Sequence, residues 1–145
     1  MSNLIQAAKD QVHALTQAAY EKAAAEQLLP AGAQVKATVE IPKDVSHGDY
    51  ASSFAMAGAK ALRMPPRTLA QIIVERLDLS GSYFDKVEIA GPGFLNFTLG
   101  SKWYGQVLRD IQAEGGAYGS LQEGEGRRVM VEFVSANPTG PMHIG

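Results

Sequence analysis

The sequence has no cysteine, which excludes disulfides, thiolate–zinc sites and thiol nucleophiles within its 145 residues. It has little net charge: 13 Lys and Arg against 15 Asp and Glu leave −2 at pH 7. A general nucleic-acid binder neutralises many phosphates and is usually basic. Any nucleic-acid contact here must therefore be local. Long apolar runs are missing too. No uncharged stretch approaches the ~18 residues of a membrane span, and the N-terminal MSNLIQAAKDQVHALTQ lacks a signal-peptide apolar segment. A soluble, cytoplasmic chain with no membrane partner is expected. Two nucleotide-binding motifs are also wanting: there is no GxxxxGK[ST], and no GxGxxG follows a strand. Ser135 and His143 make a poor hydrolase pair, with no acid partner and no nucleophile elbow.

Hydrophobic residues make up 46% and charged residues 19%, values that suit a packed core. Leu4, Ala8, Val12, Leu15, Ala19 and Ala23 recur every three or four residues, which predicts a helix over about residues 4–28, capped by Ser2 or Asn3. Pro30 and Gly32 end it. Val35, Ala37, Val39 and Ile41 alternate with polar residues as a half-buried strand, stopped by Pro42. KDVSHGDY is loop-like, and ASSFAMAGAKAL has helical spacing, with Asp49 as its expected cap. Pro66 opens a further helix whose buried face is Leu69, Ile72, Ile73 and Leu77. Val87 and Ile89, the GPG turn and FLNFTL then predict an antiparallel hairpin with Leu95, Phe97 and Leu99 on one side. Ser101 is placed to cap a last helix in which Trp103, Val107 and Ile111 share a face.

Five glycines between Gly115 and Gly126 mark a linker. The expected class is α+β, with helices packed on a small, mainly antiparallel sheet. VMVEFV at 129–134 is apolar at nearly every position, as in a strand buried on both faces of a parallel sheet. SANPTGPMHIG follows it with turn formers and ends on Gly145. Strand, loop and the first step into a helix is where α/β proteins bind ligands.

VEFVSANPTGPMHIG resembles the first catalytic segment of class I aminoacyl-tRNA synthetases, and HIG is three-quarters of their HIGH signature. In the form SANPTGPMHIG it is similar to arginyl-tRNA synthetases, whose extra N-terminal domain GDYASSFAMAGAK and IAGPGFLNFTL also resemble. The resemblance implies an enzyme that activates arginine with ATP, Mg2+ accompanying it, and transfers it to its tRNA. Ser135 and Asn137 would hold arginine. His143 would meet the ATP phosphates, and Gly145 would let adenine approach the backbone. Pro138, Thr139, Gly140, Pro141, Met142, His143, Ile144 and Gly145 form the ATP motif segment. The second His of HIGH and the region corresponding to KMSKS are not in the sequence, so an N-terminal piece of a larger monomeric enzyme, inactive by itself, is expected. Its layout would be a tRNA-binding domain over 1–114, a linker over 115–127 and the opening of the catalytic domain over 128–145. The competing reading is a free-standing RNA- or protein-binding module, against which a severed ATP motif argues.

In the family the N-terminal domain meets the tRNA elbow and reads a D-loop nucleotide. That role falls here on Phe94 and Asn96: a ring stacks on a splayed base and an amide reads its edge. Lys60, Arg63 and Arg67 cluster in sequence around the MPPRT bend and would meet phosphates. On the residues alone, Phe94 also fits a core position, Asn96 a turn or strand-edge residue, and the basic trio a solvated helix end. Trp103 and Tyr104 read as core rather than a stacking platform, and His13 as solvent-facing. His47 and Asp49 are too few ligands for zinc, so no metal site is expected.

Overall fold

The computed structural model describes residues 3–120, 124, 126–132 and 140. Helix α1 runs Leu4–Ala25. Asn3 Oδ1 accepts the Gln6 N–H at 3.0 Å and so satisfies one of the first-turn donors. Ala8, Val12, Ala19 and Ala23 fall on its buried face. The helix stops before the expected residue 28. Gln27 takes a left-handed φ of 60°, and the N–H groups of Gln27 and Leu28 return to the carbonyls of Ala24 and Ala23. That closing motif leaves Leu28 exposed and turns Leu29 into the core.

The strand expected over Val35–Ile41 pairs only as β1, Val39–Glu40. Val35, Ala37 and Val39 still pack on the core, whereas Ile41 is 61% exposed. The segment after it differs more. Asp49 caps no helix. Its Oδ2 accepts the Leu99 N–H at 2.7 Å, while its own N–H donates to Phe97 O at 2.8 Å. This lays Tyr50–Ser52 beside the hairpin as β2, and helix α2 shrinks to Phe54–Gly58. Ladder hydrogen bonds with a neighbouring strand outweigh the weak helical preference of ASS. Helix α3, Pro66–Val74, buries Leu69, Ala70 and Ile73, with Ile72 partly covered and Leu77 just beyond its end.

Strands β3, Phe84–Ala90, and β4, Phe94–Leu99, form the hairpin, with a register shift between Phe84 and Lys86. All pairings are antiparallel and the order is β1-β2-β4-β3, so β4 lies inside the sheet. Helices α1, α2 and α3 pack on one face. Leu95 and Phe97 point into that layer and are fully buried. Phe97 meets Phe84 at 5.3 Å between ring centroids, and Phe84 meets Tyr50 edge-on at 5.9 Å. Edge-to-face rings of this kind add to the stabilisation from buried area.

Helix α4, Ser101–Glu114, is N-capped by Gly100 rather than by Ser101, and it buries no residue fully. The Asp85 carboxylate occupies the space that a Cβ on Gly100 would take, so a larger residue there would have to push that side chain aside. Trp103 rests partly on the core with its Nε1 donating to Leu4 O at 3.4 Å. Tyr104, read as core from the sequence, is 53% exposed, and Leu108 and Ile111 continue an uncovered stripe along the helix. The expected strand at 129–134 is not formed over its described part. Residues 129–132 carry no regular structure, and Val129, Met130 and Val131 are exposed. Residues 133 and 134 lie outside the described residues.

The loop from Lys43 to Asp49 folds back onto β4. Gly48, at φ 79°, allows this, because a Cβ there would lie 2.8 Å from Phe97 O. Asp44 accepts the Ser46 N–H at 2.9 Å and starts the short 3-10 turn Val45–His47. Hydrogen bonding from Ser46, through its side chain and then its backbone, holds the Asp44 carboxyl below its ordinary value of 3.8. A depressed folded pKa stabilises the turn above the ordinary value and stops doing so as pH falls through the folded one. In acid the Ser46 amide shift should therefore follow the Asp44 carboxyl with a midpoint below pH 3.8. Asp44→Ala should show the moved position already at pH 7; an unmoved Ser46 amide in that variant would rule the cap out. Truncating the ring at the centre of the covered face, Phe97→Ala, should cost about 3–5 kcal/mol in urea denaturation.

Candidate nucleic-acid interface

Side chains alternate across a strand, so the burial of Leu95 and Phe97 sends Phe94, Asn96 and Thr98 to the opposite face. Their cross-strand partners are Ala90, Glu88 and Lys86 on β3, and Ala51 on β2 stands opposite Asn96. Among the described residues no α-helix lines this face at Phe94 and Asn96. A groove of about 690 Å³ lies there. Its floor is Ala51, Phe94 and Asn96, one wall is the 40–47 loop, and the other is the Gly91–Pro92 turn. Small residues at Ala51 and Ala90 leave the room that Phe94 and Asn96 border.

Phe94 is half-buried, with its ring forming part of the groove surface. Asn96 is only 7% exposed, yet its side-chain amide makes no hydrogen bond with a described residue. No described side-chain N or O is both buried and unpartnered, so this amide meets solvent in the groove through its polar atoms and is open to a ligand. It carries two donors and one acceptor, the complement of a nucleobase edge.

The charged groups at the groove are mixed. Lys43 and His47 stand on the loop wall with Glu40 and Asp44. On the neighbouring strand Lys86 Nζ pairs with Glu88 Oε2 at 2.8 Å. Such an array gives little general attraction for phosphates, in keeping with the chain's net charge of −2. Lys43 and His47 were not singled out as binding residues by sequence reasoning. Only the return of the loop over β4 brings them beside Asn96, and the Gly48–Asp49 pair was the signal for that return.

The basic trio divides. Arg67 Nη1 donates to Gly91 O at 2.8 Å, beside the groove. Lys60 and Arg63 are exposed at the bend between α2 and α3 and do not line it. Ser135, Asn137, Pro138, Thr139, Pro141, Met142, His143, Ile144 and Gly145 lie outside the described residues; Gly140 is exposed. Among the described residues no cluster of three or more His, Cys, Asp or Glu side chains is arranged to hold a metal, and no helix is long and apolar enough to cross a membrane.

Known proteins resemble the sequence and the fold. The arginine–tRNA ligase of Acetivibrio thermocellus is 46% identical over all 145 residues, which are 26% of that protein. The arginine–tRNA ligase of Caldanaerobacter subterraneus subsp. tengcongensis is 43% identical, again over 100% of this chain and 26% of its own length. The chain thus spans about a quarter of the curated relatives it matches. In three dimensions it is similar to the crystal structure of arginyl-tRNA synthetase from Plasmodium falciparum, with a TM-score of 0.56 and 14% identity over 71% of this chain and 18% of that one; this likeness concerns the fold alone. The family described as the arginyl tRNA synthetase N terminal domain matches residues 5–99. Those residues take in nearly all of α1 and the whole helix-backed sheet through β4, and the chain therefore belongs to the arginyl-tRNA synthetase N-terminal domain family.

Proposed function

We propose that the chain is the N-terminal part of an arginine–tRNA ligase and that the uncovered face of its sheet reads a loop nucleotide at the tRNA elbow. The observation that carries this is the Asn96 amide, which has no hydrogen-bond partner among the described residues and opens to the groove beside the Phe94 ring. A D-loop base splayed from its stack lies on Phe94 and gives its edge to Asn96. Lys43 meets a phosphate at the groove, with Lys60 and Arg63 serving the strand further along. Few phosphate contacts and one base contact suit a domain that checks a tRNA held mainly by other parts of the enzyme.

The layout proposed is a tRNA-binding domain over 1–114, a linker over 115–127 and the start of the catalytic domain over 128–145. The exposed stripe Tyr104, Leu108, Ile111 and the exposed Val129–Val131 support it, since contiguous apolar surface of this kind commonly marks a contact with another folded body. In the complete enzyme Ser135 and Asn137 hold arginine, Asn137 offering both donor and acceptor to the zwitterion. His143 donates to the ATP phosphates from the Pro138–Gly145 segment, and the absent side chain of Gly145 admits adenine. ATP enters with Mg2+ as a substrate. The enzyme works as a soluble cytoplasmic monomer, and the 145-residue chain alone does not activate arginine.

Three measurements test this. Titrated with arginine tRNA at low salt, Phe94→Ala should weaken binding by ~1–3 kcal/mol, the worth of one base stack; an unchanged affinity would sink the base-reading role. Lys43→Ala should reduce the dependence of log affinity on log salt by roughly 0.7–0.9, one phosphate contact. In pyrophosphate-release assays the chain should show no arginine-dependent signal above a no-enzyme control, and a clear signal would overturn the division of labour between its two parts.

A further inference from the structure

We infer that Arg67 is a positioning residue: it acts on the tRNA nucleotide through the β3–β4 turn, holding Phe94 in place, rather than by meeting a phosphate. The turn is closed by the Gly93 N–H donating to Ala90 O at 3.1 Å, and it bends through two left-handed glycines, Gly91 at φ 51° and Gly93 at φ 141°. Two consecutive hydrogen-bonded elements rarely leave so permissive a link rigid, because each glycine has access to more backbone states than any other residue. Here the link is docked on the first turn of α3. A Cβ on Gly93 would lie 3.0 Å from both the carbonyl carbon and oxygen of Pro66, so backbone touches backbone at that point. The next residue of α3, Arg67, reaches across and donates from Nη1 to Gly91 O at 2.8 Å.

One helix end therefore holds the turn at both glycines, by close packing at Gly93 and by a charge-assisted hydrogen bond at Gly91. Phe94 is the residue immediately after Gly93. Its ring borders the groove, and Gly91 and Pro92 form the adjacent wall. With the guanidinium removed, Gly91 regains its freedom, the wall moves, and the ring loses its set orientation. Stacking tolerates small errors poorly, so an unfixed ring binds a base more weakly. The sequence placed Arg67 with Lys60 and Arg63 as a phosphate contact, but those two have no partner on the turn.

The inference rests on the reading that Phe94 stacks a tRNA base, and the test separates the two. The 145-residue chain would be compared with Arg67→Ala, Arg67→Lys, Phe94→Ala and the R67A/F94A double variant. Backbone amide shifts would be recorded without RNA. Affinity for an arginine tRNA transcript would be measured from about 50 to about 200 mM salt. Without RNA, Arg67→Ala should move the amides of Gly91, Gly93 and Phe94 while leaving those of the α1–α3 core in place. It should weaken tRNA binding roughly tenfold, with the salt dependence unchanged. In the Phe94→Ala background it should add no further loss, since the two residues act through one contact. Arg67→Lys, which keeps a single charged donor, should restore part of the affinity and part of the shifts.

Turn amides that stay put in Arg67→Ala would overturn the inference. So would a salt slope lowered by roughly 0.7–0.9 together with a loss that persists in the Phe94→Ala background, the signature of a phosphate contact. If Phe94→Ala leaves affinity unchanged, the base-reading role fails, and the RNA-free shifts still decide whether Arg67 sets the turn.

Discussion

Everything at the proposed interface depends on the alternation of side chains along β4 while it sits inside a four-stranded sheet. Leu95 and Phe97 enter the helix-covered layer and are fully buried. That burial is worth several kcal/mol for two large side chains, on the order of 1.5–3 each. A slip of one residue would put Phe94 and Asn96 into the core and expose Leu95 and Phe97. The register is thus set by packing on one face, and the chemistry of the other face follows from it. Neighbours on both sides, β2 and β3, hold the backbone of β4 still.

The uncovered face is shaped by what crosses its margins. On one side the Lys43–Asp49 loop is brought in by Asp49, which joins Phe97 O and Leu99 N–H, and by Gly48, which permits the approach. On the other side the β3–β4 turn is held by Pro66 and Arg67. A rigid sheet with two anchored margins suits a site where one base must be met by a ring and an amide. It is less suited to broad phosphate binding, and the mixed charges of Glu40, Lys43 and Asp44 agree with that.

The molecule also has a second kind of surface. α4 presents Tyr104, Leu108 and Ile111 to solvent, and Val129–Val131 are exposed beyond the glycine-rich stretch. Neither is explained by the domain spanning α1 to β4, which has its own closed core. In the proposed layout these are the places where tRNA recognition and catalysis are physically joined, so the groove's orientation relative to the catalytic part would be set through α4.

Where sequence reasoning worked, a strong local period stood behind it. The stripe of α1, the Pro66 helix and the FLNFTL alternation each extend over enough residues for burial to dominate, and the α+β class followed from them. The motif strings carried the family without any structure. Where it failed, short segments were decided by partners distant in sequence. Tyr50 ends a loop-like string and Ala51 and Ser52 open one with helical spacing, yet all three pair with β4, and Asp49 looks like a cap but serves Leu99 fifty residues on. Tyr104 has the spacing of a core residue, and only the position of α4 at the margin of the layer leaves it uncovered.

The sequence by itself determined that Phe94 and Asn96 share a strand face, because alternation is a property of the extended backbone. It could not say that this face stays open, that Asn96 finds no hydrogen-bond partner among the described residues, or that Lys43 and His47 stand beside it while Lys60 and Arg63 do not. Those outcomes depend on which elements pack on which side of the sheet. Packing is a contest among contacts far apart in the chain, and only the folded structure decides it.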